Sequence, residues 1–288
     1  MREASCIPSS EQLQQTLETR VFEIRRGFAV STIERDGVKL GYEESGSGDP
    51  PLLLVHGWSG NRWFMHEQAA HFAADHRVVN VDLRGHGESD APEQEYTIDG
   101  FADDLAWMIG ELGLDHPIVV GHSMGGTVVV QLAASRGNLL GGIVLLDPVA
   151  IEPAPELVEA FAGAFAGMQS DLNATRMAML DRFFLPGHDA SVREAVQEQA
   201  KLAPDHVVLN SFGNRLQWDD KTAAKKVKVP TLHIASEPGV NQASTISRVI
   251  EHAVNKKTDD AGHFYLLEIP DQVNAMIQEF IHAHVPVS

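Results

Sequence analysis

A single cysteine, Cys6, stands among 288 residues. No intrachain disulfide can close, which fits a reducing compartment. Positive charge is scarce as well: 22 Lys and Arg against 40 Asp and Glu leave a formal net charge of −18. So acidic a surface disfavours nucleic acid and anionic membranes as partners and mainly aids solubility. No run approaches the about 18 apolar residues of a membrane-crossing helix. The opening residues, Met1-Arg2-Glu3-Ala4-Ser5, hold no apolar stretch of signal-peptide length. Internal repeats and low-complexity tracts are missing too. These absences lead to the expectation of a soluble cytoplasmic protein, and a hydrophobic content of 43% is ample for a sizeable core.

What is present is a succession of short apolar runs: Leu52–Val55, Val78–Val81, Ile118–Val120, Ile143–Leu146 and Thr231–Ala235. Several are apolar throughout and do not alternate, as befits strands covered on both faces. Phe28–Arg35 and Lys39–Glu44 predict two more strands, joined at the hairpin signal Asp36-Gly37. Helical patterns lie between. Ile98–Leu112 carries Phe101, Leu105, Met108 and Leu112 along one stripe, and Asp271–His284 carries Val273, Met276, Ile277, Phe280 and Ile281 at helical spacing. Alternating strands and helices predict an α/β fold, a mostly parallel central sheet flanked by helices. The alternation breaks between about Val149 and Lys226, where Pro155–Met168, Leu172–Phe184, Ala190–Leu202 and a stretch after Pro204 read as successive helices. The expected organisation is an accessory segment over 1–25 with a short polar helix at 9–25, a first core part over 26–148, an inserted helical element over 149–226 and a second core part over 227–288.

The most telling stretch is Gly121-His122-Ser123-Met124-Gly125-Gly126. It follows the apolar Pro117-Ile118-Val119-Val120 and precedes a helix-like run from Thr127 to Ala134. Strand, Gly-x-Ser-x-Gly, helix is the context in which a serine sits on a sharp turn with its hydroxyl exposed. Glycines flank it because the turn brings backbones too close for side chains. The helix N-terminus beside the serine favours developing negative charge.

Other landmarks fall in order around Ser123. His56-Gly57-Trp58 ends the run Leu52–Val55, Asp82-Leu83-Arg84-Gly85-His86-Gly87-Glu88-Ser89 follows Val78–Val81, and Ala261-Gly262-His263-Phe264 lies near the end of the chain. Together these motifs resemble the α/β-hydrolase family, in its esterase-, lactonase- and C–C-hydrolase-like branch, over roughly residues 28–284. The resemblance implies that Ser123 is the nucleophile and that His263, in a late Gly-His-Phe loop, is the base that takes its proton. It implies that the helical insertion is a lid. Two backbone N–H groups, those of Met124 and Trp58, would form the oxyanion hole. The acid that orients the histidine is divided between two positions. The family most often places it after the strand matching Thr231–Ala235; the loop there reads Ser236-Glu237-Pro238, which leaves Glu237 as the candidate. A minority carries it after the preceding strand, where Asp147 stands. Asp147 is preferred over Glu237. His122 and the Asp82–Gly87 turn are read as structural.

Aromatic and sulfur side chains in and near the insertion, Trp63, Phe161, Phe165 and Phe183 among them, are candidates for an apolar substrate pocket. Lys and Arg are sparse over 149–203, where Arg176, Arg182, Arg193 and Lys201 are too few for an obvious clamp on a strongly anionic substrate. His66-Glu67-Gln68-Ala69-Ala70-His71 superficially suggests a zinc motif, but histidines five apart fall about 140° apart around a helix and cannot chelate as a four-spaced pair does. Gly121–Gly126 lacks both the dinucleotide fingerprint and the phosphate-loop lysine. No metal and no cofactor are expected. The expected activity is serine hydrolysis of a small to medium, largely apolar or aromatic ester or lactone, with a small-molecule substrate, no nucleic-acid or membrane partner, and the oligomeric state left open. A C–C bond hydrolase, a cofactor-independent oxygenase or lyase using a His–Asp pair, and a non-catalytic ligand receptor are the alternatives.

Overall fold

In a computed structural model the described residues are 30–149, 151, 153–187, 190–236, 246 and 248–285. The expected accessory segment over 1–25 and the candidate acid Glu237 lie outside them. The described residues open with a hairpin, β1 (Ser31–Arg35) and β2 (Val38–Ser45). Asp36 and Gly37 both take positive φ, 53° and 78°, the conformation that lets a two-residue turn follow the strand twist. Then come β3 (Leu52–Val55), a 3₁₀ turn at Arg62–Met65, α1 (His66–Phe72) and β4 (Val78–Val81). After α2 (Ile98–Glu111), β5 (Ile118–His122), α3 (Met124–Arg136) and β6 (Gly142–Leu146) the strands pause. Five helices follow: α4 (Pro155–Ser170), α5 (Leu172–Asp181), α6 (Ala190–Ala200), α7 (Asp205–Gln217) and α8 (Asp220–Ala224). The sheet resumes with β7 (Thr231–Ala235) and β8 (Val254–Lys257), and the chain closes with α9 (Tyr265–Glu268) and α10 (Pro270–His284).

Among the described residues eight strands form one sheet in the order β1-β2-β4-β3-β5-β6-β7-β8. β2 runs antiparallel to β1 and β4; every other pairing is parallel. Alternate residues of the central strands face opposite layers. Leu53, Val55, Val119, Ile143 and Leu145 pack with α2, α3 and α8 on one side. Leu52, Leu54, Val120, Val144, Leu146 and Ile234 pack with α1, α9 and α10 on the other. Both layers are apolar, which is why these strands read as unbroken hydrophobic runs. α3 is buried almost all round although Val128, Val129 and Val130 are poor helix formers; packing between sheet and neighbours overrides their propensity.

Register decides where the chemistry can lie. Val55 pairs with Gly121, His122 with Leu146, and Leu146 with Ile234. The carboxyl ends of β3, β5, β6 and β7 therefore form one rim, and His56, Ser123, Asp147 and Ser236 are brought to it from distant parts of the chain.

Candidate active site

Ser123 joins β5 to α3 with φ 54° and ψ −119°, a conformation that costs a non-glycine residue about 1–3 kcal/mol and persists only where its surroundings impose it. They do so here. The Ser123 N–H donates to Leu146 O at 2.9 Å. A Cβ on Gly125 would meet His56 O at 2.4 Å and Val55 O at 2.5 Å, and one on Gly121 would meet Gly125 O at 2.5 Å. Only glycine lets the turn and the β3 loop approach so closely.

His263 and Asp147 lie 116 positions apart in sequence, yet the imidazole Nδ1 is 2.6 Å from the Asp147 Oδ2. A carboxylate accepts, so the ring proton sits on Nδ1 and Nε2 is left as the basic nitrogen. Asp147 is fully buried and also takes positive φ, 42°. Its N–H bonds Ile234 O at 3.0 Å, and its Oδ2 accepts a second bond from Ser236 Oγ at 2.8 Å. Ser236 follows β7 directly and supplies a hydroxyl that helps hold the carboxylate of the adjacent strand.

The histidine loop is fastened on two sides. His263 N–H donates to Phe183 O at 2.8 Å, and the Phe183 ring lies 4.6 Å from the imidazole, centroid to centroid. On the other side His122 Nε2 donates to His263 O at 3.0 Å, with the two rings 4.6 Å apart. Burial, followed by the neighbouring His263, pushes the His122 pKa well below its ordinary value. His122 is thus a neutral support for His263. His56 plays a similar part beneath the β3 loop: its Nε2 accepts from Leu83 N–H at 3.0 Å, so its Nδ1 carries the proton given to Gly57 O at 2.8 Å. Burial lowers its pKa to about 4. Asp82 binds the Arg62 N–H and guanidinium and the Glu88 N–H, and Arg84 forks onto Asp104. These charged side chains tie loops together.

Ser123 and His263 open on one cavity, about 690 Å³ with the open solvent at its mouth included. Gly57, Trp58 and Met124 line it on the sheet side, with Phe64 and Phe264. Phe161, Met179, Phe183 and Phe212 line it from the insertion. The lining is almost wholly hydrocarbon. The Trp58 and Met124 N–H groups donate to no backbone carbonyl among the described residues. Two expected pocket residues fall elsewhere. Phe165 stacks behind Phe212 at 6.3 Å and 11°, and Trp63 stacks on His66 at 4.9 Å and 27°; neither touches the cavity. Phe212, Arg215 and Leu216 do line it, at the i, i+3 and i+4 spacing of one face of α7, a signal that was available in the stretch after Pro204. Arg215 there pairs with Asp220 at 3.7 Å and lies over the Trp218 ring. No group of three or more His, Cys, Asp or Glu side chains able to hold a metal ion occurs among the described residues, and no helix there is long and apolar enough to cross a membrane.

Known proteins share this frame. The 2-(acetamidomethylene)succinate hydrolase of Mesorhizobium japonicum is 32% identical over 158 residues, which cover 54% of this chain and 56% of that enzyme; the chain therefore matches about half the length of this relative. A malate-bound thermophilic esterase from Thermogutta terrifontis superposes with a TM-score of 0.77 at 26% identity, covering 88% of this chain and 97% of the esterase. An N-acyl homoserine lactone degrading enzyme superposes equally well, TM-score 0.77 at 26% identity, over 87% of this chain and all of its own. A family model for the alpha/beta hydrolase fold matches residues 50–270, and the chain belongs to that family.

Proposed function

We propose that the protein is a serine hydrolase that cleaves small to medium, largely apolar or aromatic esters or lactones through an acyl-enzyme. The observation that carries this reading is the shared cavity: a serine on a strained strand-to-helix turn and an Asp-oriented imidazole open on the same hydrocarbon-lined space. In the proposed reaction Ser123 Oγ attacks the substrate carbonyl while His263 Nε2 takes its proton. Asp147 keeps the imidazole in the basic tautomer and stabilises the imidazolium that forms. The N–H groups of Trp58 and Met124 receive the oxyanion, each worth about 3–4 kcal/mol in such sites. His263 returns the proton to the leaving alcohol, then activates the water that releases the acid. The five-helix insertion acts as a lid, excluding bulk water from the hydrocarbon walls. The esterase and the lactone-degrading enzyme among the relatives lend support, although a fold alone hosts many chemistries.

The test is Ser123→Ala, assayed with short p-nitrophenyl esters and by fluorophosphonate labelling. Loss of labelling and a fall in kcat of about 10⁶-fold, as for serine removal in other triads, are expected. Full turnover in the variant would reject the assignment. A panel of esters, lactones and diketones then ranks the substrate classes.

A further inference from the structure

The loop after β3 is tied to the helical insertion at three points. Trp58 Nε1 donates to Val208 O at 3.0 Å, Ser59 Oγ to Ala200 O at 2.9 Å, and Asn61 Nδ2 to Gln199 Oε1 at 3.0 Å. The middle tie is the unusual one. Gly57 to Gly60 form a turn closed by Gly60 N–H on Gly57 O at 3.2 Å, and its third residue, Ser59, has φ 58°. That position favours glycine or asparagine, so a serine there needs holding. It is fully buried, and its hydroxyl also accepts from Arg176 Nη1 at 3.4 Å.

Arg176 reaches this point from α5 and is itself 1% exposed. Its guanidinium also donates to Ala200 O at 3.0 Å, Ala203 O at 3.3 Å and Asn173 Oδ1. All four of these acceptors are neutral. Burial lowers the guanidinium pKa from its ordinary value, against the pull of the Asp205 carboxylate. A desolvated cation held by neutral acceptors is a costly way to fasten helices that hydrocarbon contacts could join. Its location accounts for it, since it secures the turn that carries the Trp58 N–H.

We propose that Arg176 is a positioning residue for the oxyanion hole: through the Ser59 hydroxyl and the Ala200 and Ala203 carbonyls it holds the Gly57–Gly60 turn so that the Trp58 N–H meets the developing oxyanion. This rests on the serine-hydrolase reading above. It makes the α5–α7 part of the insertion a component of the catalytic frame, more than a cover. Loosening the tie displaces a donor that matters in the transition state and leaves the cavity walls in place. The cost should therefore fall on kcat and spare KM.

The experiment compares the parent with Ser59→Ala, Arg176→Met and Arg176→Lys, each checked for folding by thermal melting. The readouts are kcat and KM on a p-nitrophenyl ester, inhibition by an aryl boronic acid, which forms a tetrahedral anion on serine, and inhibition by benzyl alcohol, a neutral competitor for the apolar cavity. Ser59→Ala and Arg176→Met are expected to lower kcat and weaken the boronate by a common factor of about 10- to 100-fold. KM and benzyl alcohol inhibition should stay within about twofold, and Arg176→Lys, which can still donate to both carbonyls, should recover most of the loss. If Arg176→Met does not fold, Ser59→Ala decides alone, because it removes one hydroxyl and no buried charge. Unchanged kcat and boronate affinity overturn the inference, as does a parallel drift of all four readouts. A parent that neither turns over ester nor binds boronate overturns the hydrolase reading, and this inference with it; a competent parent with indistinguishable variants overturns the inference alone.

Discussion

Replacing Asp147 by asparagine tests the acid with almost no change in shape. The Asp147 Oδ2 accepts from both His263 Nδ1, at 2.6 Å, and Ser236 Oγ, at 2.8 Å. An asparagine has two ways to sit there. With its amide nitrogen toward His263 it forces the ring proton onto Nε2, and the imidazole can no longer act as base. With its oxygen toward His263 the tautomer survives, but the imidazolium of the transition state loses its counter-charge. At 2.6 Å and an effective dielectric of about 20, that attraction is about 6 kcal/mol. The amide dipole returns part of it, so a loss of about 4–5.5 kcal/mol, or 10³- to 10⁴-fold in kcat, is expected. Loss of the carboxylate in other triads costs about 10⁴. The assay is steady-state ester hydrolysis by Asp147→Asn beside Glu237→Gln and Ser236→Ala. Glu237→Gln should stay near parent, and Ser236→Ala, which removes one of two bonds to the carboxylate, should lose about tenfold. An Asp147→Asn enzyme within tenfold of parent, with Glu237→Gln inactive, would refute the assignment and move the acid to the loop after β7.

Two further expectations concern stability. Gly125→Ala would drive a Cβ to 2.4 Å from His56 O and 2.5 Å from Val55 O; both are backbone atoms, so the elbow and the β3 loop must separate, at about 1–3 kcal/mol. A melting temperature lowered by several degrees checks this, and an unchanged one would refute it. The second concerns acid. Burial lowers the pKa of His56 to about 4 and, with help from the neighbouring His56, that of His86 to about 3. In the unfolded chain both titrate near 6.5. Below that pH the unfolded state binds the extra protons, so the stability these groups provide is complete above about 6.5 and is lost as pH falls towards 4 and 3. The slope should reach about 1.4 kcal/mol per pH unit for each group. Urea midpoints at pH 7.5, 6 and 5 measure it, and a midpoint that held constant or rose on acidification would contradict the burial of neutral imidazoles.

The parts of this molecule that could be read directly from sequence are those fixed by local chemistry. The glycines about Ser123 are dictated by backbone contacts within one turn, and the unbroken apolar runs by strands covered on both faces. The apolar stripe of Ile98–Leu112 became the buried face of α2, which Thr97 caps through Gly100 N–H. The pocket was less legible because its wall is made by helices that fold back over the sheet. Aromatic content marked Phe161, Phe165 and Phe183 as buried but could not say against what. Phe165 and Phe212 stack on each other, and only helix phase puts one against the cavity and the other behind it. Arg176 stood in the sequence only as one of a few sparse cations; in the fold it is bound beneath the β3 loop, to Ser59 and to the Ala200 and Ala203 carbonyls.

The acid shows most clearly where sequence runs out. β6 and β7 are hydrogen-bonded neighbours, with Leu146 opposite Ile234, and parallel strands lie only about 4.8 Å apart. A carboxylate one residue beyond either strand can reach the same imidazole, so strand position alone leaves both sites open. Asp147 makes a second contact there. Asp147 continues the ladder through its N–H on Ile234 O, and this turns its carboxylate across the end of β7, where Ser236 donates to it. An acid on β6 thus calls for a donor on β7, and a serine opening the loop after β7 is a small, local sign of that arrangement. If the pairing is the rule, exchanging the two roles by Asp147→Ser with Ser236→Asp should keep more activity than either single change, measured as kcat in the same ester assay. A double variant no better than the worse single one would show that the strand ends are not interchangeable and that the left-handed backbone at Asp147, φ 42°, aims the carboxylate in a way that β7 cannot reproduce.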